Sequence, residues 1–166
     1  DFGIEDFFVI PEPLIQKEFS RIMSLKDGLK KMSKSDVSDL SRINLTDTKD
    51  QIINKIKKAK TDPLPMPSSV EELNERPEAS NLIGIFSSLN NSSLEETIKK
   101  FSGKNFSDFK NELSQLLVDK IDPISQEIKK LLNESSYLDQ ILSDGSQKAQ
   151  EIASQKIKKI HKIVGF

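Results

Sequence analysis

Cysteine and tryptophan are absent from this 166-residue chain, and histidine and tyrosine occur once each, as His161 and Tyr137. Without a thiol there is no disulfide, no iron–sulfur cluster and no thiolate zinc site, and a lone histidine cannot build a histidine cluster. No metal site is expected of these residues. His161 follows Ile157 and Ile160 in a lysine-rich stretch and reads as a surface or boundary residue with no assigned role. Long apolar runs are missing too: no window approaches the roughly 18 apolar residues that a membrane span needs. No basic-then-apolar segment opens the chain, and no membrane partner is expected. An opening methionine is also lacking. The chain starts Asp1-Phe2-Gly3-Ile4, which reads as mid-domain sequence, and no kinase catalytic or glycine-rich loop accompanies Asp1-Phe2-Gly3. What is present is ordinary for a globular protein: 35% hydrophobic residues, 31% charged residues and a net charge of −1.

The densest chemistry lies in Lys30-Lys31-Met32-Ser33-Lys34-Ser35-Asp36. Ile22, Met23 and Leu25 before it read as a short buried strand, and the Lys/Ser/Gly-rich run after it reads as a mobile loop. That arrangement puts two ammonium groups and two hydroxyls at a strand's carboxyl end, where open α/β sheets bind ligands. Lys31 and Lys34, three residues apart, are point-charge partners for phosphate oxygens; Ser33 and Ser35 add hydroxyl donors. A loop of this kind can close on a polyphosphate and tighten as charge develops on the leaving group. The competing reading is a solvated lysine-rich loop with no ligand.

Along the rest of the chain the pattern becomes helical. Residues 1–20 combine Phe7-Phe8-Val9-Ile10 with Pro11 and Pro13, which predicts an extended stretch whose apolar side chains need a cover. Ser38 to Ser41 predicts a turn or short helix. Thr46 or Asp47 then caps a helix ending near Thr61, with Ile52, Ile53, Ile56 and Ala59 on its apolar face. Pro63, Pro65 and Pro67 make a stiff connector. Further helices are expected from Pro77 to Asn90-Asn91, from about Ser93 to a stop at Gly103, and through Phe106, Phe109, Leu113, Leu117, Ile121 and Ile128, bent at Pro123. A small helix from Ser136 should stop at Asp144-Gly145, and a last one should carry Ala149, Ile152, Ile157, Ile160 and Val164 in an aliphatic bundle.

Charge is unevenly spread. Residues 26–60 hold ten Lys/Arg against five Asp/Glu, and residues 148–166 hold five against one, while residues 61–147 hold eight against fifteen. The two basic stretches suit a phosphate backbone. They equally suit helix C-termini, where Lys55, Lys57, Lys58 and Lys60, or Lys156, Lys158, Lys159 and Lys162, would complement the macrodipole with no partner.

Several blocks together carry a resemblance. Lys31-Met32-Ser33-Lys34-Ser35 resembles the KMSKS signature of class I aminoacyl-tRNA synthetases. Around it, Arg21 to Leu25, Arg42 to Asp47, Lys55 to Asp62, Arg76-Pro77-Glu78-Ala79-Ser80-Asn81-Leu82 and the closing Ile163 to Phe166 are similar to the tryptophanyl-tRNA synthetase family, over nearly the whole chain. The resemblance implies a mostly α fold: a C-terminal remnant of a Rossmann-type nucleotide-binding domain with the signature loop (1–62), the proline-rich connector (63–68), and an α-helical bundle that binds the tRNA anticodon region (69–166). It implies a C-terminal half, with the N-terminal half and most of the tryptophan pocket elsewhere, so that this chain alone would be inactive. The implied activity is a ligase reaction in which ATP activates L-tryptophan to tryptophanyl-adenylate, followed by transfer to tRNA(Trp). Lys31 and Lys34 would be the catalytic residues, stabilising the departing pyrophosphate. Met32, Ser33 and Ser35, with the two lysines, would bind the nucleotide, and Asp36 would orient the loop. ATP with Mg2+, a homodimer of the whole protein and a bacterial-type cytoplasm, or an organelle, are also implied. The alternatives are a non-catalytic helical RNA-binding module and a tyrosyl-tRNA synthetase.

Overall fold

The structure is a computed structural model of the chain, and it describes residues 7–15 and 19–165. The expectations for Asp1 to Ile4 and for Phe166 lie outside the described residues. The described residues form two compact units. One is Ile15–Ile128; the other joins Asp1–Leu14 to Lys129–Phe166.

In the unit 15–128 the first regular structure is an antiparallel hairpin, β1 (Met23–Ser24) and β2 (Asp27–Lys31), with Met23 opposite Lys31 and Ser24 opposite Asp27. The expected strand over 22–25 is therefore real but short, and part of the expected loop is strand. A two-residue turn reverses the chain at Leu25-Lys26, so β2 rather than β1 leads into Lys31. Local polar groups favour that reversal: Ser24 Oγ accepts from the Lys26 N–H at 3.2 Å, and Asp27 Oδ1 accepts from the Leu29 N–H at 3.1 Å.

A short 3-10 turn over Asp39–Ser41 leads to α1 (Lys49–Lys58). Thr48 caps α1 in a reciprocal capping box with Gln51, one residue beyond the expected Thr46 or Asp47. The cap falls there because Asp47 is buried and already engaged by Asn44 and Lys55. Ile52, Ile56 and Ala59 point inward as expected; Ile53 does not, and is 45% exposed. In the proline run Met66 is buried, its N–H donating to the Lys104 carbonyl at 2.8 Å and its carbonyl accepting from Gly103 at 3.1 Å. The prolines on either side have no N–H to place.

Three helices complete the core: α3 (Pro77–Asn90), α4 (Leu94–Phe101) and α5 (Phe106–Leu132), preceded by the single turn α2 (Val70–Asn74). Pro77 opens α3, and Asn91 closes it in the left-handed region at φ 52°. Ser93 and Glu96 form a capping box on α4, and Gly103, at φ 71°, takes the chain through a turn that a side chain would strain. Their inward faces meet at Phe86, Phe101 and Phe109, with ring centroids 4.8–6.0 Å apart and two of the three pairs edge-on. Full burial of one such ring stabilises the fold by about 2–3 kcal/mol.

In the second unit, α6 runs unbroken over Ser135–Val164. Sequence had predicted two helices separated by Asp144-Gly145. Gly145 keeps right-handed helical backbone, because an interior glycine weakens a helix by only about 1 kcal/mol and does not by itself end it. Gly165, at φ 89°, is the residue that ends α6. No residue of α6 is buried, so the aliphatic packing expected of its apolar face is not made among the described residues; Leu142 and Ile152 are 69% and 75% exposed. Phe8, Val9, Ile10 and Leu14 are exposed as well. Lys156 lies 3.8 Å from the Phe7 ring centroid and donates to the Phe7 carbonyl at 2.6 Å. No helix among the described residues is long and apolar enough to cross a membrane.

Candidate functional site around the lysine loop

The loop that follows β2 is short and anchored at both ends. At its leading end Met32 donates its N–H to the Ile22 carbonyl at 3.0 Å, and its side chain packs against the core. A turn follows in which the Asp36 N–H reaches the Ser33 carbonyl at 3.3 Å, while Ser33 and Ser35 share a hydroxyl contact of 3.0 Å. At the trailing end Asp36 Oδ1 accepts from the Ser38 N–H at 2.7 Å, and Arg42 Nη1 donates to the Asp36 carbonyl at 3.0 Å.

The hairpin itself is fixed to α3. Asn81 uses both halves of its amide on one residue of β1: Oδ1 accepts from Met23 N–H and Nδ2 donates to the Met23 carbonyl, each at 2.8 Å. The backbone can satisfy only this orientation of the amide, so the assignment of oxygen and nitrogen is fixed. Gly28 closes the joint from the other strand. A Cβ there would come within 2.6 Å of the Pro77 carbonyl carbon, so only glycine lets β2 lie this close to the start of α3. Lys60 ties the end of α1 to the same place, its N–H donating to the Leu25 carbonyl at 2.7 Å and its ammonium pairing with Glu78 at 2.8 Å. That pairing holds the Glu78 carboxyl below its usual range and raises Lys60. Arg76 grips Asp62 with two donors at 2.9 and 2.7 Å and reaches Glu72 at 3.0 Å. Burial alone would raise Asp62, but these bonds and the Leu64 N–H bring it below its ordinary value.

Under the loop lies a network that sequence reasoning did not identify. Lys55 is only 2% exposed, and its ammonium meets Asp47 Oδ2 at 2.6 Å and Asp39 Oδ2 at 2.7 Å. The Lys55 and Asn44 hydrogen bonds hold Asp39 below the usual carboxylate range. Sequence placed Lys55 among the lysines at a helix end, suited equally to a phosphate backbone or to the macrodipole. Its register carried the better signal, because Ile52, Lys55, Ile56 and Ala59 share one face of α1.

Of the residues singled out from sequence, Lys31, Ser33, Lys34 and Ser35 are exposed and Met32 is half-buried. Lys31 and Lys34 have no ion-pair partner among the described residues, whereas Lys30 pairs with Asp27 at 3.3 Å. Met32 and Lys34 line a surface recess of about 450 Å³ with Arg42, Ile43, Asn44, Leu45 and Thr46. The recess offers an ammonium, a guanidinium and an amide over an aliphatic floor, a combination suited to an anion carried on an organic group. His161 is exposed.

Residues 2–122 match the family model described as "tRNA synthetases class I (W and Y)". The chain is 48% identical over all of its 166 residues to the tryptophan–tRNA ligase of Caulobacter vibrioides, and covers 48% of that protein. It is 46% identical over the same 166 residues to the tryptophan–tRNA ligase of Brucella melitensis, covering 47% of it. It thus spans about half the length of the curated relatives it matches. Among solved structures, tryptophanyl-tRNA synthetase from Mycoplasma pneumoniae superposes with a TM-score of 0.74 at 25% identity, over 91% of this chain and 45% of that one.

Proposed function

The chain belongs to the class I tRNA synthetases of the W and Y family, and from that premise we propose that it supplies the lysine-loop half of a tryptophan–tRNA ligase. In this reading the Lys31 to Ser35 run is the KMSKS signature. The whole protein uses ATP to convert L-tryptophan to tryptophanyl-adenylate and pyrophosphate, then passes the tryptophanyl group to tRNA(Trp). The observation that carries the reading is the pair of exposed lysines, Lys31 and Lys34, without ion-pair partners among the described residues, on a loop anchored at both ends.

The chemistry asked of these residues is electrostatic. Negative charge grows on the pyrophosphate as it leaves, and two ammonium groups held beside it favour the transition state over bound ATP. Ser33 and Ser35 offer hydroxyl donors to phosphate oxygens, and Met32 places its backbone by the nucleotide. No residue here transfers a proton. Mg2+ is proposed to arrive with ATP: among the described residues no group of three carboxylate, histidine or cysteine side chains could hold a metal ion, and no step is assigned to it.

Tryptophan rather than tyrosine is the proposed amino acid, on the names of the relatives and the Arg76 to Leu82 block. For tRNA we propose the helical stretch 69–166, with residues 1–62 as the nucleotide-binding part and 63–68 joining them. Exposed Lys158, Lys159 and Lys162 on α6 are the cations offered to the RNA backbone. A homodimer working in a bacterial-type cytoplasm completes the proposal.

The test is tryptophan-dependent ATP–pyrophosphate exchange by this chain joined to the half its relatives also carry, with and without Lys34→Ala. Exchange that falls by about 10²-fold or more in the variant supports the reading. Exchange that ignores the substitution, or that runs on tyrosine, overturns it.

A further inference from the structure

Lys55 is a residue type of the surface in the position of a core residue. A hydrophobic side chain of similar volume would fill its place on α1 at least as favourably, since a buried ion pair seldom exceeds its desolvation cost. What the ammonium adds is direction. From Lys55 the contacts run outward in one chain: Nζ to Asp39 Oδ2 at 2.7 Å, Asp39 Oδ1 to Arg42 Nη2 at 3.1 Å, and Arg42 Nη1 to the Asp36 carbonyl at 3.0 Å. Asn44 braces the same chain by donating to Asp39 at 3.0 Å and to Asp47 at 3.2 Å, and Asp47 holds Lys55 from the other side at 2.6 Å.

The chain ends on Asp36, the residue that closes the Ser33–Asp36 turn. Lys34 therefore sits between two fixed points: Met32, bonded to Ile22, and Asp36, bonded through Arg42 and Asp39 to Lys55. Arg42 and Asn44, two members of that network, line the same recess as Lys34.

We propose that Lys55 is a positioning residue for Lys34, acting through Asp39 and Arg42 to fix the trailing anchor of the loop. The inference rests on the functional reading above and extends it to residues outside the signature run. Loss of the anchor leaves the ammonium of Lys34 on the protein but displaces it from the leaving group, and a displacement of about 1 Å can lower a rate by up to about 10²-fold.

The experiment is a double-mutant cycle in the pyrophosphate-exchange assay on the whole protein, pairing Asp39→Asn with Lys34→Ala, then Lys55→Met with Lys34→Ala. Asp39→Asn is expected to lower kcat about tenfold with the KM for tryptophan unchanged, and to change the rate by less than about twofold once Lys34 is alanine. An equal loss in both backgrounds, or an unchanged kcat in a folded Asp39→Asn protein, overturns the proposal. Asp39 is 54% exposed, so its amide variant carries the test even where Lys55→Met does not fold. If the unmutated protein shows no tryptophan-dependent exchange, the functional reading falls, and the anchor is judged separately by hydrogen exchange. Faster exchange at the Ser35, Asp36 and Ser38 amides in Asp39→Asn, with α3 unchanged, then supports the anchor; unchanged loop amides overturn it.

Discussion

The amide of Asn81 invites a substitution that changes one atom. In Asn81→Asp the oxygen that accepts from the Met23 N–H remains, but the nitrogen that donates to the Met23 carbonyl at 2.8 Å becomes a second acceptor. One hydrogen bond is lost, worth about 1 kcal/mol net, and a carboxylate oxygen is left facing a carbonyl oxygen at a position 7% exposed. The partly buried Met23 carbonyl is then unsatisfied, at about 1–3 kcal/mol more. The total loss is about 2–4 kcal/mol, a large share of the stability of a domain this size. Asn81→Leu should cost a similar amount by stranding both main-chain groups, although it introduces no charge. Urea unfolding followed by far-ultraviolet circular dichroism gives the free energies, and hydrogen exchange locates the damage, with hairpin amides of residues 23–31 opening before those of α3. An Asn81→Asp protein within about 0.5 kcal/mol of the parent, the usual span of a surface change, would refute the view that this amide docks the hairpin.

Gly28→Ala should lower stability by about 1–3 kcal/mol or more, because its Cβ would press on the Pro77 and Glu78 backbone at 2.6–2.7 Å, which cannot rotate away as a side chain can; an unchanged melting temperature would contradict this. Phe101→Ala, at a ring with no exposure between Phe86 and Phe109, should cost about 3–5 kcal/mol in the same urea assay. Acid should weaken the fold through carboxyls held below their ordinary values, Glu78 by Lys60 and Asp62 by Arg76 against the opposing effect of burial. A carboxyl lowered in the folded state contributes stability that is complete above the unfolded value of about 4 and is lost as pH falls through the folded value. The urea midpoint should thus hold from pH 7 to about 5 and fall below about 4, less steeply in Asp62→Asn; a midpoint that rises on acidification would refute the assignment.

Helices were legible where the chain carries its own punctuation. Pro77, Ser93, Asn91 and Gly103 each fix a local backbone, and the structure uses each as sequence suggested, with Glu96 completing the box that Ser93 opens. Where the deciding contact is distant, sequence was silent or misled. The α1 cap moved to Thr48 because Asp47 is held by Lys55, eight residues on. Gly145 looked like a stop, but nothing around it demands a left-handed residue, and α6 runs through it. The hairpin escaped notice because β1 has two residues and its outer edge is satisfied by a side chain 58 positions away. At the candidate site the lysines and hydroxyls were visible in five consecutive letters, while the residues that hold them, Asn81, Asp39, Arg42 and Lys55, show their purpose only when the chain is folded.

That division clarifies what the separate blocks of resemblance do. Arg76 to Asn81 contain no group placed for chemistry: Arg76 closes on Asp62 and Glu72, Pro77 starts a helix, Glu78 takes Lys60, and Asn81 takes β1. Asn81 and the start of α3 hold the hairpin that leads into Lys31, while Arg76 ties the connector to α2. Within residues 26–60, Lys30, Arg42, Lys49, Lys55 and Lys60 each meet a carboxylate. Lys31 and Lys34, like Lys26, Lys57 and Lys58, meet none among the described residues, although Asp36 is two residues from Lys34. Asp36 is kept from it by its own bonds, its carboxylate turned to the Ser38 N–H and its carbonyl to Arg42. A carboxylate paired with Lys34 would have to be displaced by every incoming phosphate, and much of the attraction would be spent in the exchange. Turning Asp36 toward the backbone leaves the charge of Lys34 available, as the leaving-group role proposed for it requires.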